Sequence, residues 1–115
     1  MDAQHPDGHW LMIDDRVIAS ALVASTRSER RRGLLGRTSF SGALVLPRTG
    51  SVHTVGMRMP IDVLFCDRSA AVIAIDTLLP WRITRPRWGV SMAIEAEAGQ
   101  FDRWGIVVGD RITLA

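Results

Sequence analysis

The residues best able to do chemistry cluster between Ser51 and Asp67, in the run Ser51-Val52-His53-Thr54-Val55-Gly56-Met57-Arg58-Met59-Pro60-Ile61-Asp62. His53 is the only histidine beyond the first nine residues. A histidine can act as general base or metal ligand near neutral pH, and it can equally be a hydrogen-bonded member of a packed loop. With no second histidine close in sequence, the packed-loop role is the simpler one. Asp62 follows Pro60 at the start of an apolar run, where it can be a working carboxylate or can hold backbone N–H groups of the loop. Met57 and Met59 can line an apolar pocket or fill core. Arg58, between them, offers a guanidinium to an anion.

A second candidate is the pair Glu95 and Glu97, two residues apart in a run that alternates like a strand. Paired carboxylates do acid–base work only where burial or mutual proximity separates their pKa values. Glu95, between Ile94 and Ala96, is the one more suited to burial, with an arginine of the preceding helix as its natural partner. The third candidate is the loop Leu78 to Gly89, which carries Trp81 and Trp88 among prolines and arginines. Such aromatics stack on a sugar, a base or a proline, or they roof a small barrel.

The strong catalytic signatures are missing. No phosphate-binding Gly-x-x-x-x-Gly-Lys, no Cys-x-x-Cys, no His-Glu-x-x-His and no Gly-x-Ser-x-Gly occurs. With one cysteine, a zinc site would have to use His, Asp and Glu, and no metal or other cofactor is expected. Cys66 lies in the apolar run Val63-Leu64-Phe65-Cys66, where a buried, unreactive thiol is the default. All 14 basic residues are arginine, yet the net charge is only +2. The one dense cluster, Arg27, Arg30, Arg31 and Arg32, falls where positive charge suits the end of a helix. A nucleic-acid partner is therefore not expected.

The elements that must position these residues are short. Residues 1–9 read as a flexible tail and 10–115 as one domain. Residues 10–23 read as a hairpin about Asp14-Asp15. Thr26-x-x-Glu29 has the form of a capping box and predicts a helix running to about Leu35, stopped by Gly36. Ala43 to Leu46 is a short strand ended by Pro47. Asp62 to Cys66 and Ala71 to Ile75 form a second hairpin. Val90 to Glu97 reads as a half-buried strand, Ala98 to Trp104 as a helical turn, and the segment after Gly109-Asp110 as a last strand. About seven strands with one or two short helices predict an α+β domain on a compact, barrel-like or strongly bent, mostly antiparallel sheet. The start of the chain is polar, without a signal-peptide pattern, and no apolar run reaches the length of a membrane span. A soluble cytoplasmic protein without a membrane partner is expected.

Taken in order, several blocks resemble one family. They are Ala24-x-Thr26-x-x-Glu29-Arg30-x-x-Gly33-Leu34, Gly42 to Leu46, Met59-Pro60-Ile61-Asp62-Val63-Leu64-Phe65-x-Asp67, Ile94-Glu95-x-x-Ala98-Gly99, Trp104-Gly105-Ile106 and Gly109-Asp110. This pattern, from about Trp10 to the end, is similar to the family catalogued as domain of unknown function 192. The resemblance implies a single compact domain with a curved, barrel-like sheet, and brings no established activity. It also implies that Thr26, Glu29, Arg30, Gly33, Pro60, Asp62, Asp67, Glu95 and Gly99 sit at signature positions. Two departures stand out. The export signal or lipid anchor of many members is not seen. The central block reads His53-Thr54-Val55-Gly56-Met57 where many members carry an aromatic followed by Met-Lys-Asn-Thr.

Three functions remain open. The leading one is a small binding or accessory domain for a polar or anionic ligand, or for a protein segment, in a groove between the central loop and the 78–89 loop. There His53, Asp62 and Glu95 would fix the ligand, Arg30 or Arg58 would meet its charge, and Met57, Trp81 and Trp88 could line the site. The second is a small hydrolase or metal-dependent enzyme using His53 with Asp62 and Glu95. The third is a partner in a larger assembly that recognises chains through a strand edge.

Overall fold

A computed structural model describes residues 8–115. The strands are β1 (Gly8–Ile13), β2 (Arg16–Val23), β3 (Ala43–Pro47), β4 (Ile61–Cys66), β5 (Val72–Leu78), β6 (Met92–Glu97) and β7 (Thr113–Leu114). The helices are α1 (Arg27–Arg32) and α2 (Gln100–Arg103). Of the expected tail, residues 1–7 lie outside the described residues, and Gly8 and His9 already belong to β1.

The seven strands form one sheet in the order β5-β4-β6-β3-β2-β1-β7. All neighbours are antiparallel except β2 and β3, which run parallel with α1 in the crossover. Gly42 makes that parallel pairing possible. Its φ of +87° is open to glycine, and a β-carbon there would lie 2.6 Å from the Ser20 backbone oxygen. The domain is thus mostly sheet, with β5 and β7 as the ends of the strand order. The sheet is not closed into a barrel.

Why the central strands are so apolar follows from their place. β3, β4 and β6 lie inside the sheet, and both of their faces are covered. Ala43, Val45, Leu64, Cys66, Ile94 and Ala96 point into one core with Leu11, Phe101 and Ile112. The alternate residues Leu44, Leu46, Ile61, Val63, Phe65 and Ala93 point into a second core with Leu34, Val52, Met57 and Met59. The alternation in β6 predicts a half-buried strand, but Ala93, Ile94, Glu95 and Ala96 are all buried, because β4 and β3 flank it and both faces are packed.

The capping box is present as the sequence predicts. The Glu29 N–H donates to Thr26 Oγ1 at 3.0 Å, and the Thr26 N–H donates to Glu29 Oε1 at 2.9 Å. Those bonds hold the Glu29 carboxyl below its ordinary range. The helix ends earlier than expected, at Arg32 rather than near Leu35, since Gly33 (φ +51°, ψ −130°) takes the cap position. The turn that follows buries Leu34 in the second core. Cys66 is fully buried and lies in the first core, where desolvation pushes its thiol up to about 12. No helix among the described residues is long and apolar enough to cross a membrane.

Candidate anion-binding cleft

Glu95 is the group most out of place in this fold. It sits on the face of β6 that carries Ala93, paired with Val63 of β4 and Leu44 of β3, and is 3% exposed. Its neighbours in both strands are aliphatic, so neither strand supplies a partner that repays the loss of water. Burial raises its carboxyl to about 7, weakly opposed by the Leu34 N–H. Oε1 has no hydrogen-bond partner. Buried polar atoms are rarely left so, and an oxygen of this kind calls for a bound water, an ion, a ligand or a functional role.

Above Glu95 opens a cleft of about 330 Å³. α1 and its end form one wall, with Arg27, Arg30, Arg31, Gly33 and Leu34. The stretch from Leu46 and Arg48 through Thr49, Gly50, Ser51 and Val52 to His53 forms the other. Four arginines and one buried acid therefore line the same cleft. None of them pairs with it: among the described residues the one ion pair is Arg87 with Asp76, at 2.7 Å. The anticipated bond between Glu95 and a helix arginine is not formed, and Arg30 instead donates to the Ser25 backbone oxygen at 3.2 Å.

The sequence candidates separate cleanly. His53, Arg30 and Glu95 come together in the cleft. His53 is exposed and its Nδ1 accepts from the Val55 N–H at 3.2 Å. Asp62 does not join them. It pairs with Ala96, one register step from Glu95, and so points to the opposite face of the sheet. There, 4% exposed, it accepts from the Thr77 hydroxyl at 2.7 Å and the Gly99 N–H at 2.8 Å. Met57 and Met59 fill the second core. Arg58 is exposed and outside the cleft lining.

The 78–89 loop, expected to form the other side of the groove, does not line this cleft. It runs beside the central loop as a short antiparallel pairing about His53 and Ile83. The Thr54 N–H donates to the Arg82 oxygen at 2.7 Å, and the Thr84 N–H to the Val52 oxygen at 2.8 Å. The buried Thr54 hydroxyl donates to the Leu79 oxygen at 2.6 Å and accepts from the Arg82 N–H at 2.8 Å. Trp81 and Trp88 are left 65% and 100% exposed on this loop and do not line the cleft.

Sequence reasoning passed over Arg27, Arg31, Arg48 and Gly33 as site residues. The signal for the first two was the arginine cluster itself, since positions 27, 30 and 31 lie on one side of a helical turn. Among the described residues, no group of three or more His, Cys, Asp or Glu side chains is arranged to hold a metal ion.

The fold and the cleft together define a class: a single mixed sheet, packed on both faces, with an arginine-walled cleft over one buried carboxyl. The chain belongs to the DUF192 family, described as uncharacterised ACR, which matches residues 10–114. A UPF0127 protein of Pyrococcus furiosus is 34% identical over 62 residues, covering 54% of this chain and 53% of that protein, so the match spans about half the relative's length. A UPF0127 protein of Pyrococcus horikoshii is 30% identical over 95 residues, covering 78% and 83% of the two chains. Among solved structures, a Sinorhizobium meliloti protein described provisionally as a transcription regulator aligns with a TM-score of 0.78 at 22% identity, over 93% of this chain and 92% of its own. A Novosphingobium aromaticivorans protein of unknown function aligns with a TM-score of 0.74 at 20% identity, over 92% and 83%. These likenesses show the fold.

Proposed function

We propose that this protein is a binding domain for a small anionic ligand, held in the cleft between α1 and the 48–53 loop. The observation that carries this reading is the Glu95 carboxyl, buried with an unpartnered oxygen at a cleft walled by Arg27, Arg30, Arg31 and Arg48. Guanidinium groups are donors only and favour carboxylate or phosphate. Glu95 is the sole acid of the lining, and burial raises its carboxyl to about 7, so its protonated form, which adds a donor rather than a repelling charge, is accessible near neutral pH. The test is a melting-temperature screen against inorganic phosphate, sulfate, small carboxylates and phosphorylated metabolites, with the Arg30→Ala/Arg48→Ala double variant as control. A ligand of the folded state raises the midpoint by linkage. A rise lost in the double variant supports the site, and no rise with any anion sinks it.

A second reading, a protein partner, is favoured by a different observation. Leu79, Trp81, Ile83 and Trp88 are exposed on one loop beside β5, the end strand of the order. Pairing of a partner strand with β5 would use this surface. Replacing Trp81 and Trp88 by serine without losing any interaction of the native protein would remove that reading.

The same proposal includes a sheet bent towards closure. Its support is the isolated Ala71–Arg111 bridge, with the Val72 N–H donating to the Asp110 oxygen and the Ile112 N–H to the Ala70 oxygen. A cytoplasmic setting is also part of it, supported by a single free cysteine.

A further inference from the structure

The lining of the cleft narrows the ligand further. Its charged and titratable groups are the guanidiniums of Arg27, Arg30 and Arg31 from α1 and Arg48 from the opposite loop, together with Glu95 and the imidazole of His53. From β3 and β4 the residues paired with Glu95 are Leu44 and Val63, which carry no charge. Glu97, on the same face two residues along β6, is already engaged, accepting the Phe40 N–H at 2.6 Å. The charged side chains of the lining are therefore cationic, with one exception.

A singly charged carboxylate would leave most of this positive charge unmet. A phosphoryl group brings close to two negative charges and three acceptor oxygens. The cleft, at about 330 Å³, falls in the range of sites for small organic ligands rather than bare ions. The exception decides how such a ligand can be held. An ionised Glu95 would repel it at short range in a poorly solvated site, whereas a protonated Glu95 donates to it and gives Oε1 the partner it lacks.

Building on the anion-site reading, we propose that the ligand is a phosphate monoester of a small polar molecule, and that it binds together with a proton held on Glu95, which donates a hydrogen bond to a phosphoryl oxygen. No bond is made or broken in this step. The proton comes from solvent when Glu95 starts ionised, and it returns there on release. Binding is thus linked to proton uptake, through a group that lines the cleft between α1 and the 48–53 loop. Gly33 fits that role, because its missing side chain leaves the space directly beside Glu95 Oε1.

The test is calorimetric titration with glycerol 3-phosphate as the probe, beside sulfate and succinate. The titrations are run at pH 6 and pH 8 on the wild-type chain, Glu95→Gln, His53→Ala and Arg30→Ala/Arg48→Ala. The expected result is that the phosphate ester binds more tightly than succinate, and that the double arginine variant loses it. Relative to Glu95→Gln, in which the probe's own ionisation is the same, the wild-type affinity should fall about tenfold from pH 6 to pH 8, given a carboxyl at about 7. His53→Ala should keep that fall, which assigns it to Glu95. If wild type and Glu95→Gln follow the same pH profile, the proton on Glu95 is overturned. If succinate binds more tightly than the ester, the ligand class is overturned. If none of the three anions binds at either pH, the anion-site reading itself fails.

Discussion

The Gly33 backbone lies so close to the Glu95 carboxyl that a side chain at position 33 would crowd it. A β-carbon on Gly33 would stand 2.9 Å from Glu95 Oε1 and 3.4 Å from Oε2, and the Gly33 backbone is at φ +51°, ψ −130°. The end of α1 is therefore laid against the buried carboxyl by a residue chosen twice over, for its conformation and for its lack of a side chain. Gly33→Ala should destabilise the protein by about 1–3 kcal/mol through backbone strain alone. That would lower the thermal midpoint by several degrees. A midpoint equal to wild type would show that the α1 end adjusts freely and does not fix the cleft.

Stability should carry a pH signature of Glu95. Its folded value is raised from the ordinary 4.5 to about 7 by burial, so the folded state holds this proton more tightly than the unfolded state does. The contribution is fully present below pH 4.5 and is lost as pH rises to about 7. The loss is on the order of 3 kcal/mol, because each tenfold difference in proton affinity between the two states corresponds to about 1.4 kcal/mol. Glu29 and Asp67 are displaced the other way, so their contributions are present above their unfolded values and fade only at more acidic pH. Urea unfolding between pH 5 and pH 8 should show wild type losing stability where Glu95→Gln stays nearly flat. Parallel curves for the two proteins would place Glu95 in a wetter setting than the one described.

What is legible in the sequence is local, and what is not is topological. The capping box of Thr26 and Glu29, the Asp14-Asp15 hairpin and the Asp67 turn are each built within a few residues. Asp67, for instance, accepts from the Ser69 and Ala71 N–H groups. The alternation of Val90 to Glu97 suggests one wet face, because a strand's own pattern does not say that neighbours will cover both sides. Only the placement of β6 between β3 and β4 makes Glu95 a buried acid. Likewise Asp62 and Glu95 are matched by type, yet a single register step between β4 and β6 puts them on opposite faces. The arginines of α1, taken alone, complement a helix end. The opposing wall that makes them a cleft comes from residues 46–53, the end of β3 and the loop that follows it.

Asp62 should prove structural. Its two oxygens hold the Thr77 hydroxyl and the Gly99 N–H, tying β4 to β5 and to the entry of α2. Asp62→Ala removes a buried acceptor from both donors and should cost about 2–4 kcal/mol, as two partly buried donors are left without it. The affinity of the variant for a cleft ligand, measured well below its melting temperature, should match wild type. A binding loss as large as that of Arg30→Ala/Arg48→Ala would bring Asp62 back into the site.

Thr54 offers the sharpest test of how the exposed loop is held. Its hydroxyl is fully buried, donates to the Leu79 oxygen and accepts from the Arg82 N–H, while its backbone oxygen receives the Trp81 N–H at 2.8 Å. Trp81 is kept at φ +66°, a conformation that residues other than glycine seldom adopt. Thr54→Val preserves the volume and removes only the hydroxyl, leaving the Leu79 oxygen and the Arg82 N–H without that partner. The loss should be about 1–3 kcal/mol. Because the bonds are confined to this pairing, amide exchange should accelerate at Arg82 while β3 and β6 keep their protection. Exchange that rises evenly across the sheet would mean that the loop is an integral part of the core, and Trp81 and Trp88 would then be exposed by the needs of packing rather than held out for a partner.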